Sequence, residues 1–411
     1  MWKFPWKFKE SFIIAFGLII IGVCLEVVTG DQEIEPIQYP HNVYVGIAFI
    51  FLLLGTYVFF RKSPFIRWLS SVPAAISAIS SLALLTLLMG FIPQSDSVHP
   101  VFRQFGLTHL TKSWEFLFII VYFQFILGMT ILKRLGEFRL KDASFAFNHI
   151  GLWLIVFAVA FGRGDLKRWN MHLKEGEPIW YATDEQNQRR ELDFALRLED
   201  FHIEHYNPKI TLISTSNYSI PERFQDQQFR AKEDVQQTIG EWRIKVDTFY
   251  TYAVGHGNRY YPMRMEGASY AAFVEAENQK SGKAEKGWIS PGSYRMKPAA
   301  VKLNEQFLLT LTQPEHKKYS SRMTLFIKGE GKQEVNLAVN NPLKVNGWKI
   351  YQQSYDQQKG RWSKESILEI VKDPWLPVVY AGIFFLMAGA LMLFWSGRRK
   401  QASETFKEDV K

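Results

Sequence analysis

Cysteine is all but absent: Cys24 is the only one in 411 residues. A single thiol excludes an intramolecular disulfide, a CxxC redox pair and a CxxCH haem-attachment site. The chain is therefore neither a thiol reductant nor a c-type cytochrome. Familiar catalytic signatures are missing as well, with no HExxH, no GxSxG and no glycine-rich phosphate loop. That disfavours an envelope enzyme. Lys and Arg are missing from residues 30–42, and residues 94–115 hold only Arg103 and Lys112. No convincing internal repeat is present, and the paired, Gly/Pro-broken spans of a transporter find no counterpart.

Long apolar runs are plentiful. The mean hydropathy of −0.11 averages two populations: residues 1–163 and 374–396 are rich in Phe, Ile, Leu, Val and Ala, whereas 164–373 are polar and charged. A hydrocarbon core of about 30 Å needs roughly 20 apolar residues in a helix, because each backbone polar group must be satisfied internally. Six stretches meet or approach this, at 12–28, 43–60, 72–93, 116–132, 145–162 and 375–396. The first holds Glu26 near its end, and the fourth is short. Lys3, Lys7 and Lys9 before the first run imitate a signal peptide, but no small-residue cleavage site follows at CLEVVTG. The first run is expected to be an uncleaved anchor.

The net charge of +9 follows this plan. Basic residues cluster on one side: Lys3, Lys7 and Lys9; Arg61, Lys62 and Arg67; Lys133, Arg134, Arg139 and Lys141; Arg398, Arg399 and Lys400. Alternate loops lack them. Such a bias predicts cytoplasmic termini, with residues 164–373 outside the cytoplasm, and it makes nucleic acid an unneeded partner.

Within 164–373, period-two alternation dominates. ELDFALRLEDFHI at 191–203 places Leu192, Phe194, Leu196 and Leu198 on one face. Similar runs occur at 242–246, 272–274, 307–311, 323–327 and 334–339, separated by turn signals such as Pro291-Gly292 and Asn340–Pro342. An all-β, sandwich-like domain is expected. His202 and His205 form H-x-x-H, which on a regular strand points the two rings to opposite faces, against a metal pair.

His149, in FAFNHIGLWLIVFAVAF, lies about one helical turn inside the fifth span. Intramembrane ionisable residues are costly and usually face a bundle interior or a functional site, and imidazole is a common haem-iron ligand. Gly151 would let a helix or a flat macrocycle come close. The alternative is that Asn148 and His149 hydrogen-bond a neighbouring helix. The residues leave both open.

Three stretches are similar to the ResB (CcsB) family of System II cytochrome c biogenesis. They are FIRWLSSVPAAISAISSLALLTLLMGFIPQ; NHIGLWLIVFAVAFG with MHLKEGE; and VNNPLKVNGWKIYQQSYD with KDPWLPVVYAGIFFLMAGALML. LEDFHIEHYNPK fits an early strand of the family. The resemblance runs over roughly 67–395. The chain departs from the family at its N-terminus, where residues 1–66 supply two helices beyond the four typical of it, and the resemblance implies a three-helix membrane core over 67–163. A β-rich extracytoplasmic domain would follow over 164–373, then a last helix and basic tail over 374–411. It further implies a multi-pass protein of the bacterial inner membrane that exports haem b with a CcsA-type partner and presents it to apocytochrome c. Thiol-reducing proteins of the same pathway would act beside it. The family's haem-ligating membrane histidine matches His149, which is then the axial ligand to the iron. The chain lacks a tryptophan-rich WWD-type segment, so the CcsA-type protein is expected to be separate. In this role the chain would be the non-catalytic subunit of a haem-attachment complex. Trp348, Tyr351 and Tyr355 are candidate apocytochrome contacts, and His99, His109 and His172 candidate positions for a second haem. A membrane-anchored scaffold without cofactor contact is the rival reading.

Overall fold

The computed structural model describes residues 2–30, 33–95 and 97–408, without the side chains of Lys141 and of 396–408. The basic tail around Arg398, Arg399 and Lys400 thus lies outside the described side chains. The chain divides into two compact units, Met1–Leu166 with Lys372–Lys411, and Lys167–Val371.

In the first unit, six helices are long and apolar enough to cross a membrane: Phe8–Thr29, His41–Phe60, Val72–Phe91, Trp114–Gly136, Ala143–Gly162 and Leu376–Glu408, the last apolar over Leu376–Trp395. The protein is accordingly a multi-pass membrane protein. The fourth span, expected to be short, is a helix of 23 residues. Ser113 caps it by accepting from the Phe116 N–H, while Lys133 and Arg134 sit in its last turn, where the helix dipole favours cations. Those polar ends had shortened its apolar run.

Half of the fourth span is buried, and the first, second, third and fifth spans all pack on it. Small residues make this possible. Ala74, Ser77, Ala78 and Ser81 form a buried stripe on the third span, and Ser77 Oγ lies 3.1 Å from Tyr122 Oη on the fourth. Gly22 of the first span faces the backbone of Glu115, where a Cβ would come within 2.3 Å of Cα. Gln124 and Trp153 tie the fourth span to the fifth reciprocally. Gln124 Nε2 donates to the Trp153 carbonyl at 3.0 Å, and Trp153 Nε1 donates to the Gln124 carbonyl at 3.2 Å.

The second unit is almost wholly β, as the alternation predicts. An eight-stranded antiparallel sheet runs in the order Gly331–Ala338, His316–Ile327, Arg189–His205, Pro178–Thr183, Lys167–Lys174, Glu365–Lys372, Trp348–Tyr355, Leu343–Val345. It curls until Gly331–Ala338 packs beside Trp348–Tyr355, nearly closing around a core that includes Leu173, Leu196, Leu198, Met323, Ile350 and Leu368. A five-stranded and a four-stranded sheet form a sandwich with its own core, in which Ile244, Val246 and Val274 meet Ile210, Leu212 and Leu309. The expected sandwich is present, and a second cored sheet accompanies it.

Candidate functional site

Two places in the fold hold histidine in unusual surroundings, a single imidazole in the first unit and a pair in the second. His149 lies on the fifth span with its ring stacked on Phe145, centroids 3.7 Å apart. Its Nδ1 is 2.9 Å from the Phe145 carbonyl oxygen. A carbonyl only accepts, so this bond places the proton on Nδ1 and leaves the lone pair on Nε2. Among the described residues Nε2 has no hydrogen-bond partner. Asn148 likewise bonds within its own helix, Nδ2 donating to the Ser144 carbonyl at 3.0 Å. Among the described residues, neither bonds a neighbouring helix.

The helix faces explain where His149 points. Ala146, Trp153 and Phe157 turn toward the other spans, while Asn148, Gly151 and Ile155 meet the sixth. A Cβ on Gly151 would lie 2.6 Å from the Gly382 carbonyl oxygen. The close approach that Gly151 permits is thus taken by the sixth span. His149 belongs to neither group and is half-buried, while Leu152 and Val159, farther round the helix, are 38% and 58% exposed. Arg134 lies over the Phe145 ring and pairs with Asp142 at 2.6 Å, placing charge one turn away.

In the β unit, His202 is exposed on Arg189–His205, whereas His205 turns inward. A β-bulge sets this. Leu198 pairs with Met323 and Asp200 with Arg322, so Glu199 is an extra residue and the alternation flips after it. Leu198 is buried on one side of the bulge, and Phe201 and Ile203 beyond it. A second bulge at Lys317 brings His316 directly opposite His205, their rings 5.0 Å apart. Tyr355 Oη lies 2.9 Å from His316 Nε2. Burial, with the charges of His316, Arg361 and His202 adding to it, pulls the His205 pKa down to about 4.

Arg361 stands nearby, stacked on Tyr270 and Tyr252 at 4.2 and 4.4 Å. It donates to the carbonyls of Thr251 and Ala268, and no carboxylate among the described residues pairs with it. His205, His316, Tyr355, Tyr270, Arg361 and Trp362 line one cleft of about 630 Å³. His205 and His316 are 111 positions apart in sequence, and only the two bulges join them. No spacing rule could have found that pair.

The other sequence candidates disperse. His99 caps a short helix, its Nδ1 accepting from the Val101 N–H at 3.3 Å, and His109 Nδ1 lies 3.4 Å from Glu33. His172 is exposed on Lys167–Lys174. Among the described residues, none of these three makes a ring contact or hydrogen bond with another histidine. Trp348 is buried against Trp169 in the eight-stranded core, Tyr351 is half-buried, and Tyr355 lines the cleft.

Six membrane-length helices, with an almost wholly β unit inserted before the last of them, define a multi-pass membrane protein. Part of its β unit is similar to the ResB-like family, whose model matches residues 265–367, in agreement with the resemblance read from the sequence. That stretch contains His316, Tyr355 and Arg361. No curated protein matches the chain.

Proposed function

We propose that this protein takes part in cytochrome c biogenesis as a haem-handling subunit. In this reading it works with a CcsA-type membrane partner to carry haem b across the bacterial inner membrane and present it to the CxxCH motifs of apocytochrome c. The ResB-like match supports the general assignment to cytochrome c biogenesis. The observation that carries the haem-binding role is the Nδ1 bond of the half-buried His149, which leaves its Nε2 lone pair without a hydrogen-bond partner among the described residues. Such a nitrogen suits an axial position on iron. A half-buried imidazole with one unengaged nitrogen suits a ligand shared with a second protein, whose own side chain would complete the coordination.

His149 then binds the cargo, Phe145 fixes the imidazole plane, and the Phe145 carbonyl holds its tautomer. Thioether formation between haem vinyls and reduced cysteines is chemistry of the haem and the apocytochrome, and the assembly supplies orientation. Thiol-reducing proteins keep those cysteines reduced. The charge bias of the loops supports cytoplasmic termini and a β unit on the opposite side, where apocytochrome is met.

The test is the absorption spectrum of the complex purified with its partner. His149→Ala should abolish the co-purifying Soret band, and added imidazole should restore it. Haem retained with an unchanged spectrum would remove His149 as ligand and favour the scaffold reading.

A further inference from the structure

The cleft of the β unit has three features that select a ligand together and would not do so singly. It carries two imidazoles, and His205 has no hydrogen-bond partner among the described residues, so its nitrogens are unengaged. Its lining includes the cations Arg361 and Lys359 and no Asp or Glu. Its lining also includes the aromatic and proline side chains Tyr270, Trp362, Pro291 and Pro314.

A bare divalent cation meets the imidazoles but is repelled by Arg361, which pairs with no carboxylate among the described residues, whereas Lys359 is offset by Asp356 at 3.5 Å. A simple carboxylate or phosphate satisfies the cations but leaves the imidazole and the aromatic walls without a role. A flat apolar body bearing carboxylates and a metal with an open axial position uses all three. The volume of about 630 Å³ falls in the range of ordinary small-molecule sites, roughly 300–1,000 Å³.

We propose that this cleft binds a metalloporphyrin carboxylate, with His205 donating a ring nitrogen to the metal and Arg361 facing a carboxylate. The inference rests on the reading that haem is the cargo, and gives that cargo a second station, within the β unit. The ring separation fixes the mode. Imidazoles on opposite sides of one metal would have centroids about 6 Å apart, given metal–nitrogen bonds near 2 Å. At 5.0 Å, His205 and His316 stand too close together to ligate one metal from opposite sides. One ligates, and His316, held by Tyr355, packs beside it.

The experiment titrates ferric protoporphyrin IX into the detergent-solubilised full chain carrying His149→Ala, so that the membrane position is silent. A saturable Soret shift is expected, lost on adding His205→Ala and kept by His316→Ala, whose exposed ring is not needed for folding. The dimethyl ester of the same porphyrin should bind about tenfold more weakly or worse, since it lacks the charge-assisted bond to Arg361. Circular dichroism of each variant reports whether the β unit is folded, and His205→Gln replaces His205→Ala if it is not. Equal affinity for acid and ester, a Soret shift that survives the loss of His205, or zinc ion alone saturating the His205–His316 pair would overturn the proposal. Those results leave the His149 assignment standing. Loss of haem binding with His149→Ala in the partner complex, together with no cleft binding, would confine the cargo to the membrane.

Discussion

Gly151 and Gly382 meet where the fifth and sixth spans cross, so closely that a Cβ on either would fall 2.6 Å from an atom of the facing helix. Gly389 continues the seam, with its Cβ position 2.7 Å from the Asn148 side chain. Helices in lipid gain little from apolar burial and associate through close packing and hydrogen bonds. Gly151→Leu should therefore force the two spans apart, at about 1–3 kcal/mol or more by the usual scale of overpacking. Gly55, with open space around it, serves as the control, and Gly55→Leu should change little. Thermal unfolding in detergent compares the two. Equal effects would show that the seam does not hold the helices.

Asp165 gathers the end of the bundle. Its Oδ1 accepts from the Tyr39 N–H at 2.7 Å, and its Oδ2 accepts from Asn42 Nδ2 at 2.7 Å and Trp375 Nε1 at 2.8 Å. One carboxylate thus joins the starts of the second and sixth spans to the end of the fifth. Hydrogen bonds to a charged group are worth about 1.5–3 kcal/mol each, and they are shared here at a half-buried site. Asp165→Ala should destabilise the membrane unit by about 2–4 kcal/mol, and Asp165→Asn by less, because one oxygen can still accept. Chemical denaturation of the solubilised protein measures the difference. Identical losses for the two variants would mean that side-chain volume is what matters there.

Much of this architecture can be read from the sequence because single residues act there without long-range help. Each span shows itself through apolar length alone, and Phe194, Leu196 and Leu198 show their strand through alternation. Where two polar ends trimmed the apolar run, as at Glu115 and Lys133, the fourth span was underestimated. Gly151 announced a close approach but not its partner, since either a helix or a ligand satisfies a missing Cβ. His205 and His316 were illegible for a different reason. Alternation from Leu192 to Leu198 would turn His202 inward, and only the extra residue at Glu199 reverses that, while Lys317 does the same for the facing strand. A bulge depends on what the neighbouring strand does, so it leaves no local pattern.

The His205 environment predicts an acid-sensitive β unit. Its pKa is held to about 4, chiefly by burial, below the ordinary value of about 6.5 for the unfolded chain. Between those values the unfolded chain binds a proton that the native state does not, so stability rises with pH. The contribution is complete above about pH 6.5 and is progressively lost as pH falls toward 4. Melting temperatures measured from neutral pH to about pH 5 should therefore decline, and the decline should be shallower in His205→Asn. An unchanged slope in the variant would place the acid sensitivity at another group.

The lone cysteine makes orientation measurable. Cys24 is exposed along the first span, and Cys24→Ser gives a thiol-free background in which single cysteines report their side of the membrane. Tyr218, in the β unit, is 71% exposed, and Leu140, between the fourth and fifth spans, is 90% exposed. The basic cluster around Leu140 predicts that it faces the cytoplasm, because Lys and Arg are retained on that side during insertion. In cells with a permeable outer envelope, an impermeant maleimide should label Tyr218→Cys directly and Leu140→Cys only after lysis. The reverse pattern would invert the topology, and apocytochrome, met outside the cytoplasm in the proposed function, would then be out of reach of the β unit.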